Sequence, residues 1–258
     1  MPNQFFSEYM GINRANLFSQ NTIITQKGKR YQRSYQVLKV NPNEDMINHA
    51  LNVAREKSKY TMDADQNEKK RPPDAKILSA FRGIFAETAV QLLLEQCLDT
   101  YKVEIKRFDI ERESFEYSSD EYDLKLVYKN QSYEIESRSS ENYKQTLSEG
   151  LESLDIIGEY KNNKKVVEEP SDFYIRPLYQ YDPFTGQQER VLDKYINKLR
   201  NGEITLYLTA GTDLDTMKEH GKIKNMGQEN TEYRCLWMHH YRAKDIKQFI
   251  HQLQRNFK

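Results

Sequence analysis

Cysteine is scarce in this chain of 258 residues, which contains only Cys97 and Cys235. Two cysteines cannot build a disulfide framework, and because no Cys-x-x-Cys pair occurs, a zinc site based on sulfur is excluded. The chain has no uninterrupted apolar run of about 18 residues, so we expect no membrane span. Its first residues also lack the basic and apolar regions of a secretory signal. These absences predict a cytoplasmic protein.

Glycine-rich phosphate-binding loops are also missing. The best candidate, Ala210-Gly211-Thr212-Asp213, contains one glycine and no lysine of the Walker type. Internal repeats and low-complexity tracts are absent as well. Nucleotide hydrolysis is therefore a poor fit.

Aromatic residues and charges are abundant by contrast. The 18 Tyr and 11 Phe residues supply a core even though 30% of the residues are charged. The 39 basic and 39 acidic residues are equal in number but segregated along the chain. Residues 26–40 contain five basic residues and no acid, whereas residues 109–123 contain seven acids and one arginine. The simplest interpretation is two solvated surface segments.

Hydrophobic periodicity predicts an α/β fold with a mixed central sheet flanked by helices. Helical spacing covers residues 43–59, 74–98, 187–200, 213–220 and 245–257, and a further helix is expected to carry Leu147, Leu151, Leu154 and Ile157. Alternating patterns predict strands at residues 101–108, 122–128, 133–138, 172–179, 204–209 and 232–238. Pro177 suggests an edge strand or a strand end. From residue 74 to residue 179 the order is αβββαβ.

The segment 118–140 contains the residues best suited to chemistry. In a strand, Glu134, Glu136 and Arg138 project from one face, and a tight turn after residue 128 brings Asp123 beside them. Asp120 is a competing choice for the first acid. Crowded carboxylates take up protons or bind a hard cation such as Mg²⁺. The alternative is an ion-paired, solvated outer face without function.

This pattern resembles the PD-(D/E)xK nuclease superfamily and its restriction-endonuclease-like branch. In that family the first acid begins the second strand and the (D/E)-x-K tripeptide lies in the third, as Asp123 and Glu136-Ser137-Arg138 do here. Arg138 replaces the usual lysine, and it cannot act as a general base because it stays protonated. Glu134-Ile135-Glu136 is a second possible alignment of the tripeptide. Glu87, inside the preceding apolar helix, matches a family glutamate that assists the metal.

The resemblance implies a Mg²⁺-dependent endonuclease that hydrolyses double-stranded DNA, with Mn²⁺ as a substitute metal. It assigns Asp123 and Glu136 to the metal, with Glu134 and Glu87 as additional ligands, and gives Arg138 the stabilisation of transition-state charge. A chain of this size looks most like a type II restriction enzyme, which implies a restriction-endonuclease-like core, a homodimer and a cognate methyltransferase acting on the same site.

The sequence divides into an N-terminal helical and basic region, residues 1–73, and a nuclease core with a C-terminal α/β extension, residues 74–258. The N-terminal region is a candidate DNA-contacting arm through Lys27, Lys29, Arg30 and Arg33.

Three other functions remain open. They are a repair, phage or transposon nuclease that reads DNA structure, a non-catalytic DNA-binding protein with a decayed nuclease core, and an interaction domain that binds no nucleic acid.

Overall fold

A mixed β-sheet flanked by helices forms the centre of the molecule. The computed structural model describes residues 4–27, 31–60, 72–112, 114–116, 122–161, 167–225 and 232–258. Within these ranges the helices are α1 (Gln4–Met10), α2 (Glu44–Tyr60), α3 (Pro73–Leu98), α4 (Phe108–Glu111), α5 (Leu147–Ser153), α6 (Leu192–Arg200), α7 (Leu214–His220) and α8 (Ile246–Asn256).

The strands of the described ranges fall into two sheets. They are β1 (Phe18–Lys27), β2 (Tyr31–Val40), β3 (Glu104–Arg107), β4 (Leu124–Tyr128), β5 (Gln131–Ser137), β6 (Ser140–Asn142), β7 (Asp155–Lys161), β8 (Phe173–Tyr181), β9 (Ile204–Asp213), β10 (Lys222–Asn225), β11 (Glu232–Trp237) and β12 (Lys244–Asp245). The large sheet has the order β1-β2-β9-β8-β5-β4-β3, with β12 paired to β9 and β6 to β8. A small sheet has the order β10-β11-β7.

The strands β3, β4 and β5 form an antiparallel meander that continues into β8, which is parallel to β5. The turn between β4 and β5 contains Lys129 and Asn130, both with positive φ (46° and 66°). This backbone matches a two-residue hairpin turn whose twist suits the flanking strands. The predicted hairpin is therefore confirmed, and it places the start of β4 beside the end of β5.

Helix α3 packs its apolar residues into the main core. Leu78, Phe81, Phe85, Leu93 and Leu94 are all buried there. The segment Pro73–Tyr101 is long and apolar enough to cross a membrane, yet 72% of its most apolar window is buried within the fold. That degree of burial is typical of a core helix, since a helix that is apolar all round needs cover on every side.

Residues of the N-terminal region belong to the same core and the same sheet. Phe5, Tyr9, Val40 and Met46 are buried in the main hydrophobic cluster, and β2 pairs with β9 through Leu38 and Leu208. The region contains a long hairpin, β1–β2, in addition to helices. The sequence analysis did not predict this hairpin, because its many Ser, Thr, Gln and Asn residues obscure the apolar alternation.

Two local predictions were wrong. Ile157 lies in β7 and not in a helix, because α5 ends at Ser153. Pro177 lies inside β8, which is paired on both sides rather than at a sheet edge. The ladder accommodates the missing N–H because the register with β9 shifts between Arg176 and Pro177, while pairing with β5 ends at Ile175 and pairing with β6 begins at Leu178.

Candidate active site

Asp123 is held at the mouth of the hairpin by the backbone of β5. It directly precedes β4, and the pairing of Leu124 with Ile135 places it beside Glu136 in the continuing register. Its Oδ2 atom accepts a hydrogen bond of 2.8 Å from the backbone N–H of Ser137. The first predicted acid and the predicted tripeptide therefore meet, as the sequence analysis expected of these two segments.

The carboxyl group of Asp123 sits in an environment that disfavours its charge. Burial raises the pKa of Asp123, and the negative charge of Glu136 raises it further. The hydrogen bond from Ser137 and the positive charges of Arg138 and Lys57 act in the opposite direction on this pKa. Burial and repulsion prevail, so Asp123 retains a proton well above the ordinary range unless a cation compensates.

Glu87 joins this acid cluster from helix α3. Burial raises the pKa of Glu87, and the charge of Asp123 is the next largest cause of the increase. Lys57 lowers the same pKa. The predicted proximity of Glu87 to the hairpin acids is thus present in the fold, because α3 packs across β3 and β5.

Lys57 is a component that the sequence analysis missed. It lies in the last turn of α2, and its Nζ atom is 2.8 Å from Oδ2 of Asp109. Its positive charge acts on both Glu87 and Asp123. No motif identifies it, because α2 is distant in sequence from the hairpin and reaches the acids only through its packing on α3.

Arg138 lies between two carboxylates and an aromatic ring. Its Nη2 atom is 2.9 Å from Oε1 of Glu136 and 2.5 Å from Oε2 of Glu168, and its guanidinium lies 4.0 Å from the ring centroid of Tyr160. These contacts hold the cation beside the candidate metal ligand. They also mean that a phosphate must compete with Glu136 and Glu168 for the guanidinium.

Glu134, a predicted additional metal ligand, forms an ion pair with Lys125 in the structure. Although it projects from the same face of β5 as Glu136, its Oε1 atom lies 3.2 Å from Nζ of Lys125, its cross-strand partner. Its side chain is 38% exposed. Its charge is therefore neutralised at the surface by an ordinary cross-strand ion pair.

The donor set at the hairpin fits a magnesium ion with many water ligands. In the ranges that the structure describes, no group of three or more His, Cys, Asp or Glu side chains is close enough to hold a metal ion. Asp123 and Glu136 nevertheless provide two hard oxygen ligands that repel each other. Mg²⁺ commonly uses one or two protein carboxylates and keeps several waters, so this pair is sufficient for it.

Arg33, a predicted DNA contact, binds backbone carbonyl oxygens within the fold. Its guanidinium donates hydrogen bonds to the carbonyl oxygens of Met238, His240 and Ala243 at 3.0, 2.9 and 2.8 Å. It also lies 4.9 Å from the ring centroid of Tyr35. These bonds occupy three of the five N–H donors of the guanidinium.

The other predicted basic residues lie outside what the structure describes. Lys29 and Arg30 fall between the described ranges, and only the backbone of Lys27 is described. Asp120, the competing first acid, also lies outside the described residues.

Comparison with known proteins gives no assignment of function. No protein-family model matches the chain, and no solved structure matches it. It is similar to the uncharacterized protein MJECS01 of Methanocaldococcus jannaschii, with 26% identity over 221 residues. That alignment covers 76% of this chain and 78% of the relative. What the fold and the site define is an α/β protein with a partly buried acid cluster at a hairpin mouth.

Proposed function

We propose that this protein is a Mg²⁺-dependent endonuclease that hydrolyses phosphodiester bonds of double-stranded DNA. The observation that carries the proposal is the pairing of Asp123 with Glu136 at the hairpin mouth, strong enough that the charge of Glu136 raises the pKa of Asp123. Two partly buried acids that repel each other are stabilised by a cation, and perturbed acids of this kind concentrate at functional sites.

The order of elements supports the same proposal. Helix α3, strands β3, β4 and β5, helix α5 and strand β8 follow one another as in the PD-(D/E)xK core, with α4, β6 and β7 inserted. The first acid directly precedes the second of these strands, and Glu136 and Ser137 end the third, with Arg138 immediately after it. A restriction-endonuclease-like core, a site-specific type II enzyme, a homodimer and a cognate methyltransferase are part of this proposal.

Each residue of the site then has a defined role. Asp123 and Glu136 hold Mg²⁺, with Glu87 orienting a water from the α3 side. The bound ion polarises the scissile phosphate and lowers the pKa of a water ligand. Lys57 and Arg138 place positive charge beside the acids, where the phosphate diester must enter, and so offset the repulsion between the two anions. Lys57 is the only one of these two cations that can also release a proton.

Plasmid digestion in Mg²⁺ tests the proposal. We expect the parent protein to nick or linearise plasmid DNA, and we expect Asp123→Asn and Glu136→Gln each to lower the rate at least about 100-fold while remaining folded. Glu134→Gln is the matched control, because Glu134 lies on the same strand face but pairs with Lys125. Full activity of both Asp123→Asn and Glu136→Gln would reject the proposal. Discrete fragments from a long duplex would indicate a restriction enzyme, and cutting confined to branched DNA would indicate a structure-specific nuclease.

One observation favours a second candidate, a non-catalytic DNA-binding protein with a decayed nuclease core. Arg138 replaces the family lysine and is held by Glu136, Glu168 and the ring of Tyr160. This candidate predicts salt-dependent retention of DNA without cleavage in either Mg²⁺ or Mn²⁺. Cleavage that disappears with Asp123→Asn would exclude it.

A further inference from the structure

A cavity of about 420 Å³ lies beside the hairpin, between β6, the start of β7 and β8. Its lining includes Ser140, Lys144, Ser153, Arg176 and Tyr233. Its volume is in the range of small-molecule sites, and the polar groups in its wall are of the kind that fix a ligand in such sites. No role in the proposed cleavage is assigned to these residues.

Arg176 is a buried cation in the wall of this cavity. Arg176 is only 6% exposed, and its position in β8 places it beneath the cavity. One Nη1 hydrogen bond goes to the carbonyl oxygen of Arg138. Its Nε atom is buried and has no hydrogen-bond partner in the structure as described. A guanidinium has five N–H donors, so this geometry leaves binding capacity at a buried position.

The acids around the cavity form ion pairs with other cations, although the charge of Asp155 also acts favourably on Arg176 through space. Glu141 pairs with Arg82, and Asp155 pairs with Lys224. Among the described residues no carboxylate forms an ion pair with Arg176. A buried cation without a direct ion pair is costly, and an anion from solution would lower that cost.

We propose that this cavity binds the phosphate group of a small phosphorylated compound. At the bottom of the cavity, the guanidinium of Arg176 supplies charge-assisted hydrogen bonds, because its planar N–H groups match the geometry of phosphate oxygens. Lys144 is exposed at the mouth and adds a second positive charge, and the hydroxyl groups of Ser140 and Tyr233 supply neutral donors, whereas the Ser153 hydroxyl donates to the carbonyl oxygen of Gly150. The proposal does not depend on nuclease activity, because it concerns binding without DNA and without a divalent ion.

Isothermal titration calorimetry of the full chain in metal-free buffer tests the site, with inorganic phosphate, 5′-AMP and acetate as probes. We expect saturable binding of phosphate or 5′-AMP, and a loss of affinity of at least about tenfold in Arg176→Gln, as befits removal of a charge-assisted contact. Tighter binding of 5′-AMP than of phosphate would indicate a nucleotide, and equal binding would indicate the phosphate group alone. Arg200→Gln is the control, because Arg200 is paired with Glu44 and is not part of the cavity lining.

Ser153→Trp provides a second test if Arg176→Gln does not fold. Ser153 is exposed at the cavity, so a bulky side chain there obstructs entry without removing a buried group. We expect this variant to melt like the parent and to lose phosphate binding. Absence of saturable binding by the parent protein, unchanged affinity in a folded Arg176→Gln or Ser153→Trp, or acetate binding as tight as phosphate would each overturn the proposal.

Discussion

The Oδ2 atom of Asp123 accepts a hydrogen bond of 2.8 Å from the backbone N–H of Ser137. This bond fixes the carboxyl group at the last residue of β5, where the charges of Glu136 and Arg138 both act on it. The position of Asp123 therefore depends on a hydrogen-bond acceptor, whereas its proposed role depends on its negative charge. The two requirements can be separated by mutation.

Asp123→Asn separates them, because asparagine keeps an acceptor oxygen but carries no charge. We expect this variant to be at least as stable as the parent at neutral pH in metal-free buffer, because burial and the charge of Glu136 keep Asp123 largely protonated there and asparagine is likewise uncharged. Asp123→Ala loses the acceptor as well, and we expect it to be about 1 kcal/mol less stable than Asp123→Asn. Urea unfolding measures the free energies of unfolding. Equal or lower stability of Asp123→Asn relative to Asp123→Ala would show that the Ser137 bond does not hold the site.

The raised pKa of Glu87 predicts that the stability of the folded protein depends on pH. Its pKa is raised in the folded protein by burial and then by Asp123, so the folded state binds its proton more tightly than the unfolded state does. The proton bound by Glu87 stabilises the folded protein most when the pH is below the ordinary glutamate pKa of about 4.3. This stabilisation is lost as the pH rises toward the raised pKa of Glu87 in the folded protein. We expect Glu87→Gln to gain stability relative to the parent over this interval. Denaturant unfolding of both proteins in metal-free buffers between these limits measures the difference, and a difference that does not change with pH would contradict the account.

We expect substitution of Lys57 to change both the stability and the activity of the protein. Its partner Asp109 has a side chain only 3% exposed, so Lys57→Met leaves this buried carboxylate with the longer ion pair to Arg112, whose Nη1 atom lies 3.6 Å from Oδ1 of Asp109. Breaking such a pair costs about 3 kcal/mol. We also expect a lower cleavage rate, because positive charge is lost beside Asp123 and Glu87. Lys57→Arg restores the charge but not the compact ammonium group, and we expect it to recover more of the stability than of the activity.

The control for Lys57 is Lys59→Met in the same helix. Lys59 pairs with Glu56 at the surface, and its side chain is 62% exposed, so we expect no measurable change in stability or cleavage. Urea unfolding and plasmid cleavage on the three variants measure both quantities. A Lys57→Met protein as active as the parent would remove Lys57 from the proposed site.

Substitution of Arg33 tests whether this cation stabilises the fold or binds DNA. Arg33→Ala leaves the carbonyl oxygens of Met238, His240 and Ala243 without this donor, and we expect a loss of about 3 kcal/mol in the free energy of unfolding. The salt dependence of DNA retention should not change, because no phosphate contact is removed. Thermal unfolding and DNA retention at several salt concentrations test the two parts. Unchanged stability together with a shallower salt dependence would restore the original DNA-binding prediction.

Local sequence patterns predicted much of the site because its main acids belong to one hairpin. The alternation around Ile135 placed Glu134 and Glu136 on one face, and the short turn at Lys129 and Asn130 brought Asp123 beside them. The same alternation could not separate Glu134 from Glu136. Their difference comes from Lys125, whose position opposite Glu134 is set by the exact register of the two strands.

The rest of the site depends on tertiary packing that a local pattern does not record. Lys57 reaches the acids because α2 packs on α3, and Arg33 finds backbone carbonyls only where the chain between β11 and β12 passes beside β2. Strand β1 was not predicted, because its exposed face is rich in polar residues. Pro177 was misplaced because a break in pairing on both sides of β8 is a property of the assembled sheet.

The most direct test of the central claim is anomalous diffraction from crystals of this protein soaked in Mn²⁺. The account predicts an anomalous peak between the carboxylate groups of Asp123 and Glu136, at the distance of a metal–oxygen bond, and it predicts that the peak disappears in Asp123→Asn. No peak between these carboxylates in the parent crystals, or an unchanged peak in the variant, would contradict the claim that the two acids form one cation site.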